Sequence, residues 1–448
     1  MEDERLDAVI LGASGFTGKY VVRYFLAQLD RDGGQRINIG IAGRSRSKVA
    51  EALRWAAAPS LPPANIPIIE ADVTSPPSLA ALCRRTKLVL NCVGPYRLYG
   101  EPVVSACVEG GVDYLDITGE PGFMEKMEAA YHQRAEETGS LVISACGYDS
   151  IPAELGVIFH SKQWKPPSVP HSVDSYLALE SDKRIVGNIG TFQSAVLGVA
   201  NVHDLQKLRR SRPRRAKPQI PGPPARKAKL IEHISSIGLW ALKLPSSDAI
   251  VVRRTQTFLA EDPQGLPGVN ENSDFAEKRK NFWSEVKPLH YGVYIGYKSL
   301  LSVAGTIFTG LNVLLLGSFG WGRSLLLKYP EIFTLGLFKK TGPTEEEVKS
   351  ATFKMTFLGH GYSDESCLLQ QKTKPDMEIV TRISGPEVGY VTTPITLVQC
   401  ALILIDQRHS LPKGGVFPPG IVFGPTDLQE RLEKNGISFE VLSKRTIS

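Results

Sequence analysis

Three glycines near the start of the chain are spaced to let a backbone approach a phosphate. The run Ala8-Val9-Ile10-Leu11 reads as a strand, and Gly12-Ala13-Ser14-Gly15-Phe16-Thr17-Gly18 follows it directly. In this G-x-x-G-x-x-G spacing Gly12 permits the tight turn and Gly15 admits a pyrophosphate. Gly18 allows the next helix to pack closely on the strand. That helix then turns free N–H groups and a partial positive charge toward the phosphates. A glycine triplet alone is a weak signal. This one stands in the required strand–turn–helix setting, and the competing reading is a tight turn that binds nothing.

The second strand bears on which dinucleotide. It ends Ile41-Ala42-Gly43-Arg44-Ser45-Arg46, without the acid that bonds the ribose 2′-hydroxyl in NAD enzymes. Arg44 suits a 2′-phosphate, with Ser45 or Arg46 helping, so NADP(H) is preferred to NAD(H). The bland alternative leaves these arginines solvated at a helix start. Asp72, after the third strand, lies near the adenine or serves as a helix N-cap. The fourth strand leads into Val93-Gly94-Pro95-Tyr96, at the crevice where open α/β sheets bind ligands. Val93, Gly94 and Pro95 would flank the cofactor; Tyr96 is a polar pocket wall or packing.

Hydride transfer belongs to the cofactor, and the protein must position the acceptor and manage one proton. Candidates for that proton are Tyr96, Asp116, Glu120, Tyr148 and Asp149. Asp149 precedes Ser150-Ile151-Pro152 and reads first as a helix cap. Asp116 and Glu120 either shape a pocket or bond loop backbone. Gly190-Thr191 with Ser194 starts another helix, as a plain cap or an anion site. No Tyr-x-x-x-Lys pair stands in the position used by short-chain dehydrogenases, no nucleophile elbow or metal-ligand cluster accompanies these candidates, and the histidines are scattered. The catalytic group is therefore not assigned by spacing, and no metal is expected.

These residues need a scaffold. Apolar runs at 8–11, 37–42, 66–70, 88–92, 114–117 and 141–145 alternate with helical patterns such as Lys19 to Leu29 and Lys48 to Ala57. Strict βα alternation predicts an α/β fold with a Rossmann doubly wound parallel sheet over residues 1–150. Alternating runs at Ser172 to Glu180, Val251 to Leu259, Ala351 to Leu358 and Met377 to Ile383 predict a second, mixed α/β domain over 151–413. That domain would serve substrate binding and dimerisation. Residues 414–448 read as a return segment: a loop, a helix at Asp427 to Asn435 and a short strand. A chain of 448 residues is long enough for two or three cores. Its net charge of +6 is too small to argue for nucleic acid, and no such partner is expected. The six cysteines include no C-x-x-C pair, which fits reduced thiols inside the cell. The first strand begins at about Asp7, leaving little room for a cleavable presequence, so targeting is expected to use internal information.

The same motifs carry a resemblance. Gly12 to Gly18, Ala42-Gly43-Arg44, Asn91 to Tyr96, Asp113 to Glu120 and Gly147 to Pro152 resemble the saccharopine dehydrogenase-like oxidoreductases, particularly their plant and animal branch. The likeness extends through Gly190-Thr191 and Thr392-Thr393-Pro394 and covers nearly the whole chain. Mycobacterial trans-acting enoyl reductases are similar through the first-domain motifs. The resemblance implies a nicotinamide-dependent oxidoreductase with an α/β second domain. It does not imply saccharopine as substrate, because the arginines that hold a dicarboxylated amino acid are not matched here residue by residue.

Two stretches point to a surface. Ser299 to Gly322 carries no charge and is rich in Leu, Val, Phe and Gly. It has bilayer-spanning length but is interrupted by Asn312 and glycines, with a break near Gly317 to Gly320. Contact with a membrane interface ranks first, a buried helix pair second and a true span third, with Trp321, Arg323 and Lys328 at headgroup depth. Lys207 to Lys229 reads as an exposed basic loop, either attracted to anionic lipid or simply solvated. The expectation is an intracellular, membrane-associated enzyme on a mitochondrial membrane or lipid-droplet surface. It would act on a lipid-like or amino-acid-derived carbonyl, imine or enoyl group. The rival is a nucleotide-binding scaffold without turnover.

Overall fold

A computed structural model describes residues 5–31, 37–57, 66–225, 229–243, 245–366 and 374–447. Cys367 and residues 226–228 of the basic stretch lie outside them. The first half alternates β1 (Ala8–Leu11), α1 (Phe16–Arg31), β2 (Ile39–Gly43), α2 (Arg46–Ala56), β3 (Ile68–Glu70) and α3 (Pro76–Arg84). It continues through β4 (Leu88–Asn91), α4 (Tyr96–Glu109), β5 (Asp113–Asp116), α5 (Pro121–Thr138), β6 (Leu141–Ile143) and α6 (Ile151–Ser161). The six strands stand parallel in the order β3-β2-β1-β4-β5-β6, the doubly wound arrangement expected. Alternate residues of β1 feed two cores: Ala8 and Ile10 face one, Val9 and Leu11 the other. Helices on both faces explain why all four positions are apolar and buried.

The second half supplies β7 (Val169–Ser181), β8 (Gly187–Asn188), α7 (Ile189–Ala200), α8 (Val202–Ser211), β9 (Ile231–Ile234) and β10 (Leu239–Lys243). Then come α9 (Ser247–Glu261), α10 (Ser273–Ser284), β11 (His290–Tyr297), α11 (Leu300–Gly317), α12 (Gly320–Lys328), α13 (Pro330–Phe333) and β12 (Phe338–Lys339). After α14 (Glu345–Ser350) the chain forms β13 (Ala351–Tyr362), β14 (Met377–Pro386), α15 (Thr393–Gln407) and β15 (Gly415–Phe417). It ends with α16 (Pro419–Phe423), α17 (Leu428–Lys434) and β16 (Ser438–Thr446). A mixed sheet runs β16-β14-β13-β7-β11-β10-β9, with β7 and β11 parallel and the other pairs antiparallel.

Three readings of the sequence need correction. Val251 to Leu259 is not a strand but the body of α9. Asp248, Val251, Val252, Thr255 and Phe258 are among its buried residues, which is helical spacing, and the Ser246 hydroxyl caps it by accepting from the Asp248 amide. The basic stretch is not simply an exposed loop. Its first part is α8, and Arg209, Arg212 and Arg215 pair with Glu125, Glu128 and Glu261. The last 35 residues hold more than a helix and one strand. β15 joins β6 on the first sheet, and β16 pairs with β14 on the second. At three residues β15 is too short for any periodicity to reveal it.

The uncharged stretch forms α11 and α12, broken at the expected place. They pack against α7, with Phe192, Val196 and Leu326 at the centre. Most of α11 stays open: Leu301 is 83% exposed, Leu315 67% and Trp321 of α12 66%. A second long apolar helix, α15, is buried against α1 and strands β4 and β5.

Candidate functional site

The glycine turn is tight enough that its backbone leaves no room for a side chain at Gly18. Gly12 has φ +86°, and its carbonyl accepts the Gly15 amide at 2.9 Å. A Cβ on Gly18 would stand 2.1 Å from the Gly12 oxygen, so α1 could not lie so close to the turn with any other residue there. A Cβ on Gly15 would meet only the Gly12 oxygen, at 3.1 Å, and otherwise project into open space. Ser14 and Gly15 are exposed and Ala13 is buried. The first-turn amides of α1 therefore border an open cradle. Phe16 turns away from it and packs edge-on against Tyr390, ring centroids 4.9 Å apart. Thr17 is half-buried beside it.

Arg44 leaves the end of β2 exposed, and its charge helps hold the Asp72 carboxyl below the ordinary range, after the hydrogen bonds from Thr74. Asp72 is not a helix cap. Its Oδ1 accepts from the Thr74 amide and hydroxyl in a local turn, while Ser75 takes the N-cap position of α3. Ser45 caps α2, and Arg46 is tied to the Ile68 carbonyl at 2.9 Å. On β4, Asn91 Oδ1 accepts the Val93 amide at 3.0 Å and shapes the Val93-Gly94-Pro95 loop, whose Gly94 is exposed.

Beyond Gly94 the crevice follows the ends of β4, β5 and β6. The structure gives the proposed proton carriers different surroundings. Tyr96 is packed, its hydroxyl donating to the Asn91 carbonyl at 2.8 Å. Glu120 accepts the Tyr96 and Arg97 amides at 2.9 and 3.0 Å, capping α4, and also accepts the Ser194 hydroxyl at 2.8 Å. Asp116 is buried and accepts the Thr118 and Ala145 amides at 2.9 and 2.8 Å. Burial pushes its carboxyl up to about 6, against the pull of those amides. Ala145 has φ +68°, a strained value for alanine, so Asp116 holds a strained loop in place. Cys92 is no ready nucleophile, since burial pushes its thiol up to about 12, with Asp116 adding.

Tyr148 and Asp149 form the far end. The Tyr148 amide donates to Thr393 Oγ1 at 3.1 Å, and its ring packs edge-on against Phe353. Asp149 is not the cap of α6; Ser150 holds that position, without a side-chain cap bond. Asp149 keeps an exposed surface, yet enough protein surrounds its carboxyl to push it above the ordinary range, as at the floor of an open crevice. The chain also brings here two residues that sequence reading missed, Asp248 from α9 and Tyr291 from β11. Burial, then Asp149, raises Asp248 well above the ordinary range. The available signal was Ser246-Ser247-Asp248, a helix start, hidden by reading the next residues as a strand. Asn188 caps α7 through the Gly190 amide, so Gly190-Thr191 does begin a helix.

The comparisons with known proteins bear on this crevice. Residues 8–143 match the family model for the saccharopine dehydrogenase NADP binding domain. An Arabidopsis thaliana protein named "probable mitochondrial saccharopine dehydrogenase-like oxidoreductase" is 61% identical over 98% of this chain and 96% of its own. The chain belongs to the saccharopine dehydrogenase-like oxidoreductases. It is an NADP-binding oxidoreductase of that family. A Caenorhabditis elegans relative named "lipid droplet localized protein" is 32% identical over 98% of this chain and 99% of its own. Apo saccharopine dehydrogenase (L-Glu forming) from Saccharomyces cerevisiae has the same fold, with a TM-score of 0.52 at 12% identity over 99% of this chain and all of that one. This likeness bears out the α/β fold class: a Rossmann sheet with a second mixed sheet.

Proposed function

We propose that this saccharopine dehydrogenase-like oxidoreductase works at a lipid surface, on a lipid-like or amino-acid-derived carbonyl, imine or enoyl group. The turn from Gly12 to Gly18 would hold the pyrophosphate, with Ser14 and Gly15 at the open cradle. Arg44 and Ser45 would meet the 2′-phosphate, Asp72 would stand on the adenine side, and Val93, Gly94 and Pro95 would flank the nicotinamide. When bound, the cofactor supplies or accepts the hydride. The protein's own part is to orient the substrate and hold a proton at the ends of β5 and β6. In this reading residues 1–150 carry the nucleotide and 151–413 supply the substrate surface and a surface for pairing of two copies. Residues 414–448 return to tie both parts together.

The observation that carries the proposal is the link between the apolar surface and the crevice. Helix α7 packs under α11 and α12 and also sends Ser194 to Glu120 beside Gly119. Burying a Leu side chain fully is worth about 1.5–3 kcal/mol, so the open row Leu301, Leu311, Leu314 and Leu315 favours an apolar neighbour. Helix α11 is about 27 Å long by its rise per residue and stays packed on α7, which suits lying in an interface rather than crossing it. Lys207, Arg210, Arg214 and Lys217 remain exposed for anionic headgroups. The relatives' names are consistent with a lipid-droplet or mitochondrial surface inside the cell.

Flotation with phosphatidylcholine–phosphatidylserine vesicles tests this. Leu316 belongs to the α7 contact, so the informative variant is Leu301→Ser, Leu314→Ser, Leu315→Ser. It should leave the vesicles while keeping its melting transition and NADPH affinity. Wild-type protein that never floats ends the proposal, and a collapsed melt in the variant assigns these leucines to the core instead.

A further inference from the structure

The floor of the crevice gathers side chains from three distant parts of the chain: Tyr148 and Asp149 after β6, Asp248 on α9 and Tyr291 on β11. The Ser247 hydroxyl donates to the Asp149 carbonyl at 3.0 Å, which fixes the two acidic segments side by side. Gly119 stands over the Asp149 carboxyl; a Cβ there would come within 2.9 Å of Oδ2, so the glycine keeps that oxygen open to the crevice. Tyr148 is only 5% exposed and Asp248 7%. Even so, the Tyr148 hydroxyl and Asp248 Oδ1 have no hydrogen-bond partner among the described residues. The Tyr291 hydroxyl is already engaged by Ser175 at 2.9 Å.

The charges that act on Asp248 and Tyr148 are of one sign. Asp248 feels Asp149 and Glu154, and Tyr148 feels Asp248, Asp149 and Glu387. Glu154 of α6 is bonded to Thr255 and the Gly420 amide, and Glu387 to the amides of Gly389 and Tyr390. Asp174 acts on Tyr291. Among the described residues no cationic side chain acts on Asp149 or Asp248; Arg254, further along α9, is paired with Glu128 and also draws on Glu154. Two carboxyls in such a place cannot both ionise cheaply, and a buried hydroxyl without a partner costs free energy until something accepts from it. An entering carboxylate would add a like charge beside whichever of the two is ionised. A carbonyl oxygen or imine nitrogen would accept the waiting hydrogen bonds.

We propose that Tyr148, Asp149 and Asp248 form a proton-bearing, anion-excluding subsite for the uncharged carbonyl or imine end of the substrate. The assignment rests on the crevice being the substrate site. It separates this enzyme from one that would seat an amino-acid carboxylate at this point.

The first test needs no turnover. A carboxyl raised in the folded state costs stability as pH rises from the ordinary carboxylate range through the folded value. An amide copies the neutral acid without that cost. Cofactor-free Asp248→Asn should therefore melt above wild type near pH 8 and close to it near pH 4. An ionised structural carboxylate gives the reverse, a lower melt near pH 8, and that result overturns the proposal.

The second test is calorimetry on NADP-loaded protein near pH 8, with cyclohexanone and cyclohexanecarboxylate as matched probes. Wild type should take the ketone and reject the acid. Asp149→Asn, a change at an exposed carboxyl, should admit the carboxylate at least about tenfold better, the effect of roughly 1.4 kcal/mol of relieved repulsion. Equal binding of both probes to wild type, or an Asp149→Asn variant that still excludes the acid, overturns the subsite. So does failure of both probes to bind. Loss of NADP binding in wild type would instead refute the cofactor placement, which the loading titration reads separately.

Discussion

Replacing Gly15 and Gly18 separately by Ala should divide cofactor binding from folding. At Gly18 the new methyl would press on the oxygen, the carbonyl carbon of Gly12 and Ala13 Cα at 2.1, 2.9 and 3.2 Å. All three are backbone atoms, so none can swing aside. Overpacking of this kind costs about 1–3 kcal/mol, against roughly 1 kcal/mol regained from helix propensity. At Gly15 the methyl meets one atom at 3.1 Å and otherwise fills the open cradle, so the apo protein should change by less than about 1 kcal/mol. The cost there should fall on the ligand. Losing one charge-assisted hydrogen bond, about 1.5–3 kcal/mol, weakens NADPH binding roughly 10- to 150-fold. Cofactor-free thermal unfolding and an NADPH titration on both variants decide the matter. Gly15→Ala should melt near wild type and bind poorly, while Gly18→Ala should be impaired in both. Wild-type affinity in Gly15→Ala would refute the pyrophosphate placement, and an unchanged melt in Gly18→Ala would refute the close approach of helix and turn.

Arg44→Ala should weaken NADPH by about 1–3 kcal/mol and leave NADH almost untouched, because Arg44 is exposed with only the attraction of Asp72 to release; equal losses for both nucleotides in parallel titrations would remove it from the 2′-phosphate. Glu128→Gln should destabilise the protein by about 3–5 kcal/mol, because buried Glu128 pairs with Arg212, Arg215 and Arg254 and its loss strands the buried charge of Arg254. Burial raises this carboxyl but the three arginines hold it below the ordinary range, so its contribution is present above that range and lost as pH falls through the depressed value. Urea unfolding at neutral and acidic pH measures both effects, and a mutant gap that persists unchanged in acid contradicts the pairing.

The Rossmann half was legible because its rules are local. Most of the first six strands are short apolar runs, β5 with its two aspartates being the exception, and the turn from Gly12 to Gly18 declares its own backbone geometry. The break at Gly317 to Gly320 was visible for the same reason. The site's far end was not, since Asp248 reaches Asp149 across almost a hundred positions and only the packing of α9 brings them together. Glu120 illustrates the limit from the other side. Its type suggested chemistry, but its partners, the amides opening α4, are a matter of three-dimensional placement. The arginines at 209, 212 and 215 read as solvated because their acids lie on α5 and α9, far away in sequence.

The placement of β15 and β16 has a consequence for the chain as it is made. Each strand caps an edge of a different sheet, at β6 and at β14, and α15 must also arrive before the first sheet is covered. These pieces leave the ribosome roughly 100 residues after α11, which at about 5–20 residues per second is a delay of some 5–20 s. Through that interval an uncharged helix is already formed or forming while neither sheet is closed. A lipid surface that captured α11 early would hold the nascent chain by its least soluble part until its last strands could finish both cores.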